Sequence, residues 1–290
     1  MPRTSTSFLA GLAVLTVCAP AALSGPAAAV SKPEAWERGS WTNVQVIAHR
    51  GASAYAPENT LTSFRTAGRM GADLIELDSR QTKDRELVAV HDKTLTRTTD
   101  VKRRFPKLKP WRVEDLTLKQ IKRLDAGSWF NPKFKGERVP TLTEALRTIK
   151  TTGAGALVEL KNPEQYPGLT GRLVSRLKAD PYWTNSERLT VQSFSWRYVK
   201  AVNEALPAVR GAVLGHPAED RLLGLRWYAD AVHPAAKTVT PAYIANAHQR
   251  WMEVYVYTVD DQATMRRLIN AGVDGITTNR PDVLRALRQF

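Results

Sequence analysis

The sequence predicts an α/β fold: one (β/α)₈ or TIM barrel, with an antiparallel β-hairpin after the second strand and a basic insertion at about 101–140. Three observations carry that expectation. From Val44 onward, short apolar runs suited to strands covered on both faces alternate with segments whose apolar residues recur at helical spacing. The 290 residues exceed an average domain but match one barrel of about 250 residues with additions. Residues 30–290 show no internal repeat, low-complexity linker or second domain, and with 43% apolar and 24% charged residues the chain can bury a sizeable core.

Residues 1–29 read as a secretory signal peptide. Arg3 is their only charge, an apolar segment runs from Phe8 to Leu23, and Ala27, Ala28 and Ala29 supply a small-residue cleavage site, so the mature chain would start at Val30. A membrane anchor needs about 20 apolar residues, and Pro20 with the small residues after it cuts the run short. Cys18, the single cysteine, follows Val17 where lipid attachment asks for a small residue, so lipoprotein anchoring is not expected. The expected location is extracellular, and a mature chain without cysteine cannot rely on disulfides there.

After a polar lead-in the first strand is 44–48. Pro57-Glu58-Asn59 opens a helix, with Asn59 as N-cap and Leu61, Phe64 and Met70 at helical spacing, and Gly71 ends it. The second strand is 72–78. Only about six residues, Arg80 to Arg85, lead to the next apolar run, 87–90, whereas a parallel neighbour needs a crossover of about a dozen or more. The pair should therefore be an antiparallel hairpin that returns His91 toward the level of the first strand.

Residues 101–140 contain twelve Lys and Arg against four Asp and Glu, a net +8 within a chain total of +14. Such a patch suits an anionic partner, phospholipid head groups or phosphate-containing wall polymers before nucleic acid; a solvated basic surface is the other reading. Thr117–Gln120 and Thr141–Glu144 are capping boxes, each starting a helix. Strands follow at 156–160, 189–192, 211–214, 229–232, 254–259 and 275–278. Helices are expected near 169–177, 196–205, 221–225, 243–248, 262–270 and 281–287, with Thr240-Pro241 and Asp260-Asp261 as starts and Gly272 as a stop. Without the hairpin strand the count is eight, as the barrel requires.

In such a barrel the active site lies at the C-terminal ends of the strands. His49-Arg50, Glu76 with Asp78, Glu159 with Lys161, and Gln192-Ser193 fall there. Alternation turns Glu76 with Asp78, and Glu159 with Lys161, to one face of their strands. Converging carboxylates repel unless a cation neutralises them, and oxygen-only donors suit Ca²⁺ or Mg²⁺ over zinc. Glu76, Asp78 and Glu159 are thus read as ligands of one divalent ion; the competing reading is that some form ion pairs with Arg50 or Lys161. His49 and His91 are the natural general acid and base. Arg50 and Lys161 would bind an anionic reacting group, and a guanidinium matches phosphate geometry. Together these parts specify metal-assisted attack at phosphorus. His216 and His233 each precede a proline at a strand end and could line the mouth, but both are read first as loop structure, and His248 is read as a surface residue. Ser53 and Ser193 lack a nucleophile-elbow context, no His-x-His follows the first strand, and neither a Cys/His zinc spacing nor a Walker loop is present.

His49-Arg-Gly, Pro57-Glu-Asn-Thr60, Glu76-x-Asp78, His91-Asp92 and Arg97-Thr-Thr99 resemble the signature of glycerophosphodiester phosphodiesterases. So do Leu124-Asp-Ala-Gly127, Val139-Pro-Thr-Leu142, Glu159-x-Lys161, Gln192-Ser-Phe194, Val256-Tyr-Thr-Val259 and Gly272-Val-Asp-Gly275, in order along nearly all the mature chain. The resemblance implies a TIM barrel of the secreted bacterial type that hydrolyses glycerophosphodiesters to glycerol 3-phosphate and an alcohol. It implies His49 and His91 as general base and acid, and Glu76, Asp78 and Glu159 on a divalent ion, Ca²⁺ or Mg²⁺. It implies Arg50 and Lys161 on phosphate, and attack by the glycerol 2-hydroxyl through a cyclic phosphate. Two positions depart from the family: Tyr257, where Trp is common near the glycerol pocket, and Asn279 after Thr278, where Asp is common. Two alternatives stand beside this reading: a phospholipase D-like enzyme acting on intact lipid, and a non-catalytic binder of phosphate-rich wall polymer.

Overall fold

Nine strands organise the chain: β1 (Gln45–Ala48), β2 (Leu74–Gln81), β3 (Leu87–Ala89), β4 (Gly155–Leu160), β5 (Leu189–Ser193), β6 (Arg210–Leu214), β7 (Ala231–His233), β8 (Glu253–Val256) and β9 (Gly275–Thr278). In the computed structural model the described residues are 1–2, 44–184 and 188–288. The chain divides into two units, Met1–Glu37 and Arg38–Phe290, and the strands belong to the second. Apart from residues 1 and 2, the expected signal segment and the lead-in lie outside the described residues. No described helix is long and apolar enough to cross a membrane.

All strands but β3 run parallel in the order β1-β2-β4-β5-β6-β7-β8-β9, and β9 pairs back onto β1, closing the barrel. β2 outlasts its neighbour: β1 pairs with its start (Ile47 with Leu74, Ala48 with Ile75), and antiparallel β3 occupies the same edge further on (Ser79 with Ala89, Gln81 with Leu87). His91 thereby comes back down above the end of β1. β2 runs past the expected end at Asp78 to Gln81 through the buried polar residues Ser79, Arg80 and Gln81, whose polarity hid the strand. β8 stops at Val256, three residues before the expected end, and Tyr257 makes a lone bridge to Ala235. The cap of the first helix, Leu61–Arg69, is Thr60 and not Asn59: Thr60 accepts from the Ser63 N–H in a capping box, while Asn59 adopts φ 55°.

The barrel interior changes character along its axis. A lower layer takes one apolar side chain from each of six strands, Ile47, Leu74, Leu157, Ala212, Ala231 and Tyr255. Above it the inward positions turn polar and stay buried: Glu76, Asp78, Glu159, Gln192, His233 and Thr277. The outward faces of the strands pack under the helices in one large apolar shell. The insertion carries its own small core, in which Val88, Leu95, Val101, Val113, Ile121 and Leu124 are among the buried members. At about 1.5–3 kcal/mol for each large apolar side chain fully buried, this cluster holds the insertion on the hairpin.

At the opposite, N-terminal end three aspartates each grip the neighbouring strand. The N–H groups of Asp73, Asp230 and Asp274 donate to the carbonyls of Val46, Gly211 and Val254 (2.9, 2.7 and 2.9 Å). Their carboxylates accept the N–H of those same residues at 2.7, 3.0 and 2.7 Å. Each aspartate stands one residue before its own strand and clasps the strand beside it.

Candidate active site

β1 ends at Ala48, and His49-Arg50-Gly51 turn across the barrel mouth with Arg50 at φ 56° and Gly51 at φ 81°. A Cβ on Gly51 would stand 2.5 Å from Ser63 Oγ and 2.7 Å from the Ser63 carbonyl carbon, so only glycine lets this turn rest on the first helix. The turn points the Arg50 N–H at Glu76 Oε2, 2.7 Å away.

Glu76, Asp78 and Glu159 meet as expected, with carboxylate oxygens within 4.8 Å of one another and all three side chains buried. Burial, reinforced by Asp78 and Glu159, pushes the Glu76 carboxyl well above its ordinary range. Burial and Asp78 push Glu159 up to about 7 despite Lys161. Burial also opposes ionisation of Asp78, but Arg50 and Lys161 outweigh it and hold that group low. Asn59 brackets Asp78: its amide donates to Oδ2 at 2.8 Å and accepts the Asp78 N–H at 3.1 Å.

The competing ion pairs exist alongside the cluster. Lys161 Nζ lies 2.7 Å from Glu159 and 3.7 Å from Asp78 Oδ1, and Arg50 Nε lies 3.4 Å from Asp78 Oδ2. They do not satisfy it, because Asp78 Oδ1 is buried without a hydrogen-bond partner. An all-oxygen donor set with an orphaned carboxylate oxygen fits a hard divalent cation, and Glu76, Asp78 and Glu159 are the residues that would hold it.

His49 and His91 line one cavity of about 290 Å³ together with Arg50, Glu76, Glu159, Lys161 and Tyr257. Their backings differ. His49 Nδ1 faces the Asn279 amide oxygen at 2.7 Å, whereas His91 Nδ1 faces the Asp92 carboxylate at 2.7 Å. Both partners are acceptors, so both imidazoles carry hydrogen on Nδ1. Burial and the Arg50 charge pull His49 down to about 4, only partly offset by Asn279 and Asp78. Burial lowers His91 too, but Asp78 and Asp92 push against it.

Asp92 belongs to a chain of alternating charges that returns to the first turn. Arg97 spans Asp92 (Nε 2.7 Å) and Glu58 (2.7 and 2.8 Å), and Glu58 accepts from Arg50 at 2.9 Å. The segment that follows the hairpin and the β1 turn are thus tied together across the mouth. Arg80, which sequence reasoning passed over, is buried under the hairpin and donates to the His91 carbonyl at 2.8 Å. An inward arginine on a strand that ends in a hairpin was the available signal.

His233 corrects an expectation. It is not loop structure: it ends β7, lies buried in the mouth, and uses both ring nitrogens, Nδ1 toward Gln192 Oε1 at 2.7 Å and Nε2 toward Thr277 Oγ1 at 3.0 Å. Burial pulls it down to about 3, so it stays a neutral wall of the cavity. His216 stacks on Tyr243, ring centroids 4.1 Å apart, and His248 is partly buried 2.7 Å from Asp274, so neither joins the mouth. Tyr257 stands edge-on to Phe194 and to His233 at 6.4 and 5.3 Å.

The profile of the glycerophosphoryl diester phosphodiesterase family matches residues 49–283. A glycerophosphodiester phosphodiesterase of Caldanaerobacter subterraneus is 36% identical over 242 residues, covering 82% of this chain and 95% of that one. One from Bacillus subtilis is 34% identical over 263 residues, covering 85% and 87%. Among solved structures, an Oleispira antarctica phosphodiesterase in complex with the product sn-glycerol-3-phosphate superposes with a TM-score of 0.76 at 28% identity, covering 85% of this chain and 97% of that one.

Proposed function

The chain belongs to the glycerophosphoryl diester phosphodiesterase family and is a glycerophosphodiester phosphodiesterase, and from that premise we propose how its own residues perform the hydrolysis. The observation that supports the reading best is one cavity lined by two histidines each backed at Nδ1 by an acceptor, by the cations Arg50 and Lys161, and by Glu76 and Glu159 of the buried carboxylate triad.

Glu76, Asp78 and Glu159 would hold one divalent ion, Ca²⁺ or Mg²⁺, which would supply positive charge for the phosphoryl oxygens. Arg50 and Lys161 bind the same group from the protein side. His49, backed by a neutral amide and held unprotonated by burial, takes the proton of the glycerol 2-hydroxyl through Nε2 as that oxygen bonds to phosphorus. His91, entering as the imidazolium with its Nδ1–H held by the Asp92 carboxylate, gives its Nε2 proton to the departing alcohol oxygen as the bond from that oxygen to phosphorus breaks. Water then opens the cyclic phosphate with the two roles reversed, leaving glycerol 3-phosphate. Tyr257 lines the glycerol side.

Release of glycerol 3-phosphate from glycerophosphocholine, with and without EDTA, tests this. The expected outcome is loss of turnover in EDTA, recovery with Ca²⁺ or Mg²⁺, and falls of about 10²–10⁴ in kcat for His49→Ala and His91→Ala. Normal turnover in either variant would sink the mechanism. Phe194 is 57% exposed at the rim, which keeps a lipid-cleaving, phospholipase D-like activity as a second reading. Comparing vesicles with soluble diester as substrate decides between them.

We also infer export, with residues 1–29 removed and Val30 first; amino-terminal sequencing of the secreted protein checks it. Between Val101 and Val113 six cations and no acid occur, with Leu108 37% exposed among them. This supports engagement of an anionic lipid or wall-polymer surface, to be read as salt-sensitive co-sedimentation with anionic but not zwitterionic vesicles or with the polymer.

A further inference from the structure

The steps above use Asn279 only as the neutral amide behind His49 and do not use Asp260, yet together the two form the wall behind that ring. Asn279 Nδ2 lies 2.6 Å from Asp260 Oδ2, and the Asn279 backbone N–H donates to Asp260 Oδ1 at 2.8 Å. Thr278 Oγ1 donates to the same oxygen at 3.0 Å. A carboxylate only accepts, so the Asn279 atom beside it is the NH₂ and the amide cannot be turned round. Its oxygen is thereby fixed 2.7 Å from His49 Nδ1. An amide oxygen also only accepts, so Nδ1 must bear the hydrogen. Ser53 Oγ sits 2.7 Å from the same Asn279 oxygen and 2.8 Å from the His49 carbonyl, and its one proton serves either acceptor.

We propose that Asn279, itself oriented by Asp260, is a positioning residue that fixes His49 in the Nδ1–H tautomer and turns the bare Nε2 lone pair toward the reacting hydroxyl. The inference rests on the reading of His49 as the base. The residue type has a physical reason: an amide orients the ring as a carboxylate would, without adding another negative charge to a mouth that already holds Glu76, Asp78 and Glu159. Asn279 has a structural task as well, because its carbonyl accepts the Ala54 N–H at 3.1 Å where β9 closes on β1. The test must therefore read the tautomer and not stability alone.

Three variants are compared with the wild type in the metal-loaded enzyme: Asn279→Leu, Asp260→Ala, and the exchange Asp260→Asn with Asn279→Asp. The exchange keeps an acceptor behind Nδ1 and a donor facing that acceptor. ¹⁵N chemical shifts of the His49 ring, assigned by their loss in His49→Gln, report which nitrogen is protonated, and steady-state kinetics separate kcat from KM. The wild type should show hydrogen on Nδ1. Asn279→Leu and Asp260→Ala should lose that signature and lower kcat about 10- to 100-fold with KM little changed. The exchange should restore the signature and most of kcat. Hydrogen on Nε2 in the wild type, or wild-type kcat in Asp260→Ala or in folded Asn279→Leu, overturns the proposal. Should Asn279→Leu fail to fold, Asp260→Ala against the exchange carries the decision, and no recovery in the exchange counts against it. Undiminished turnover in His49→Gln would instead remove His49 as base while leaving the tautomer measured.

Discussion

Replacing Glu159 by glutamine should make the metal-free protein more stable at pH 8 while weakening its hold on a divalent ion. Burial and the Asp78 charge carry the Glu159 carboxyl from its ordinary 4.5 to about 7. At about 1.4 kcal/mol per pH unit, ionising this group in the folded chain costs about 3 kcal/mol. The sign follows from proton binding: between pH 4.5 and about 7 the folded chain keeps a proton that the unfolded chain has released. Stability is therefore fully present below pH 4.5 and falls as pH rises through 7. Glu76, pushed up by burial and the same neighbours, adds to the trend. In a chain of this size about 3 kcal/mol corresponds to about 5–10 °C in Tm. The assay is thermal and urea unfolding in EDTA at pH 5 and pH 8. Wild type and Glu159→Gln should lie within about 1 kcal/mol at pH 5 and separate by about 3 kcal/mol at pH 8 with the variant higher, and Ca²⁺ or Mg²⁺ should raise the wild type far more than the variant. Parallel pH dependences for the two proteins would refute the repulsion on which the metal site is argued.

Three further outcomes follow from the geometry. Arg97→Ala removes the link between Asp92 and Glu58; because Arg97 is 43% exposed, Tm should move by less than about 2 °C, while kcat drops about tenfold as His91 loses its anchored partner. Asn59→Gly keeps the φ of 55° without strain but deletes both bonds to Asp78, so the Kd for the divalent ion, measured calorimetrically, should rise about 10- to 100-fold. Gly275→Ala places a Cβ 2.7 Å from Tyr255 Cδ1 and 3.0 Å from Ile47 Cδ1 inside the barrel. It should cost about 1–3 kcal/mol in chemical denaturation and leave kcat at 25 °C unchanged.

The barrel was legible because its strands are short apolar runs and its helices carry their own punctuation. Thr117, Thr141, Thr240, Asp261 and Gly272 sit at caps where local hydrogen bonding alone demands such residues. The hairpin was legible from chain length between two strands. The carboxylate triad followed from alternation, since Glu76 and Asp78 had to share a face. What sequence could not show was pairing between distant segments. Nothing near Asn279 announces that its amide meets His49, 230 positions away. His233 was misread because the proline after it suggests a loop, whereas β7 carries the histidine to its last residue before the chain turns. Asn59 was misread as a cap because asparagine is a good one; the left-handed backbone that its bracketing of Asp78 accompanies left the cap to Thr60.

The three aspartate clasps at the foot of the barrel bear on how such an enzyme can change. Each clasp grips only main-chain atoms of the strand beside it, at Val46, Gly211 and Val254, and borrows nothing from the loops at the other end. Three of the joints between neighbouring strands are secured where no substrate arrives, so the mouth can carry mutually repelling charges, left-handed turns and exposed aromatics while those joints hold. Grafting foreign loops after β5 or β8 should therefore alter which diester is accepted while leaving a soluble, closed chassis. Damage to Asp73, Asp230 or Asp274 should surface as poor yield of folded protein with ordinary turnover per surviving molecule.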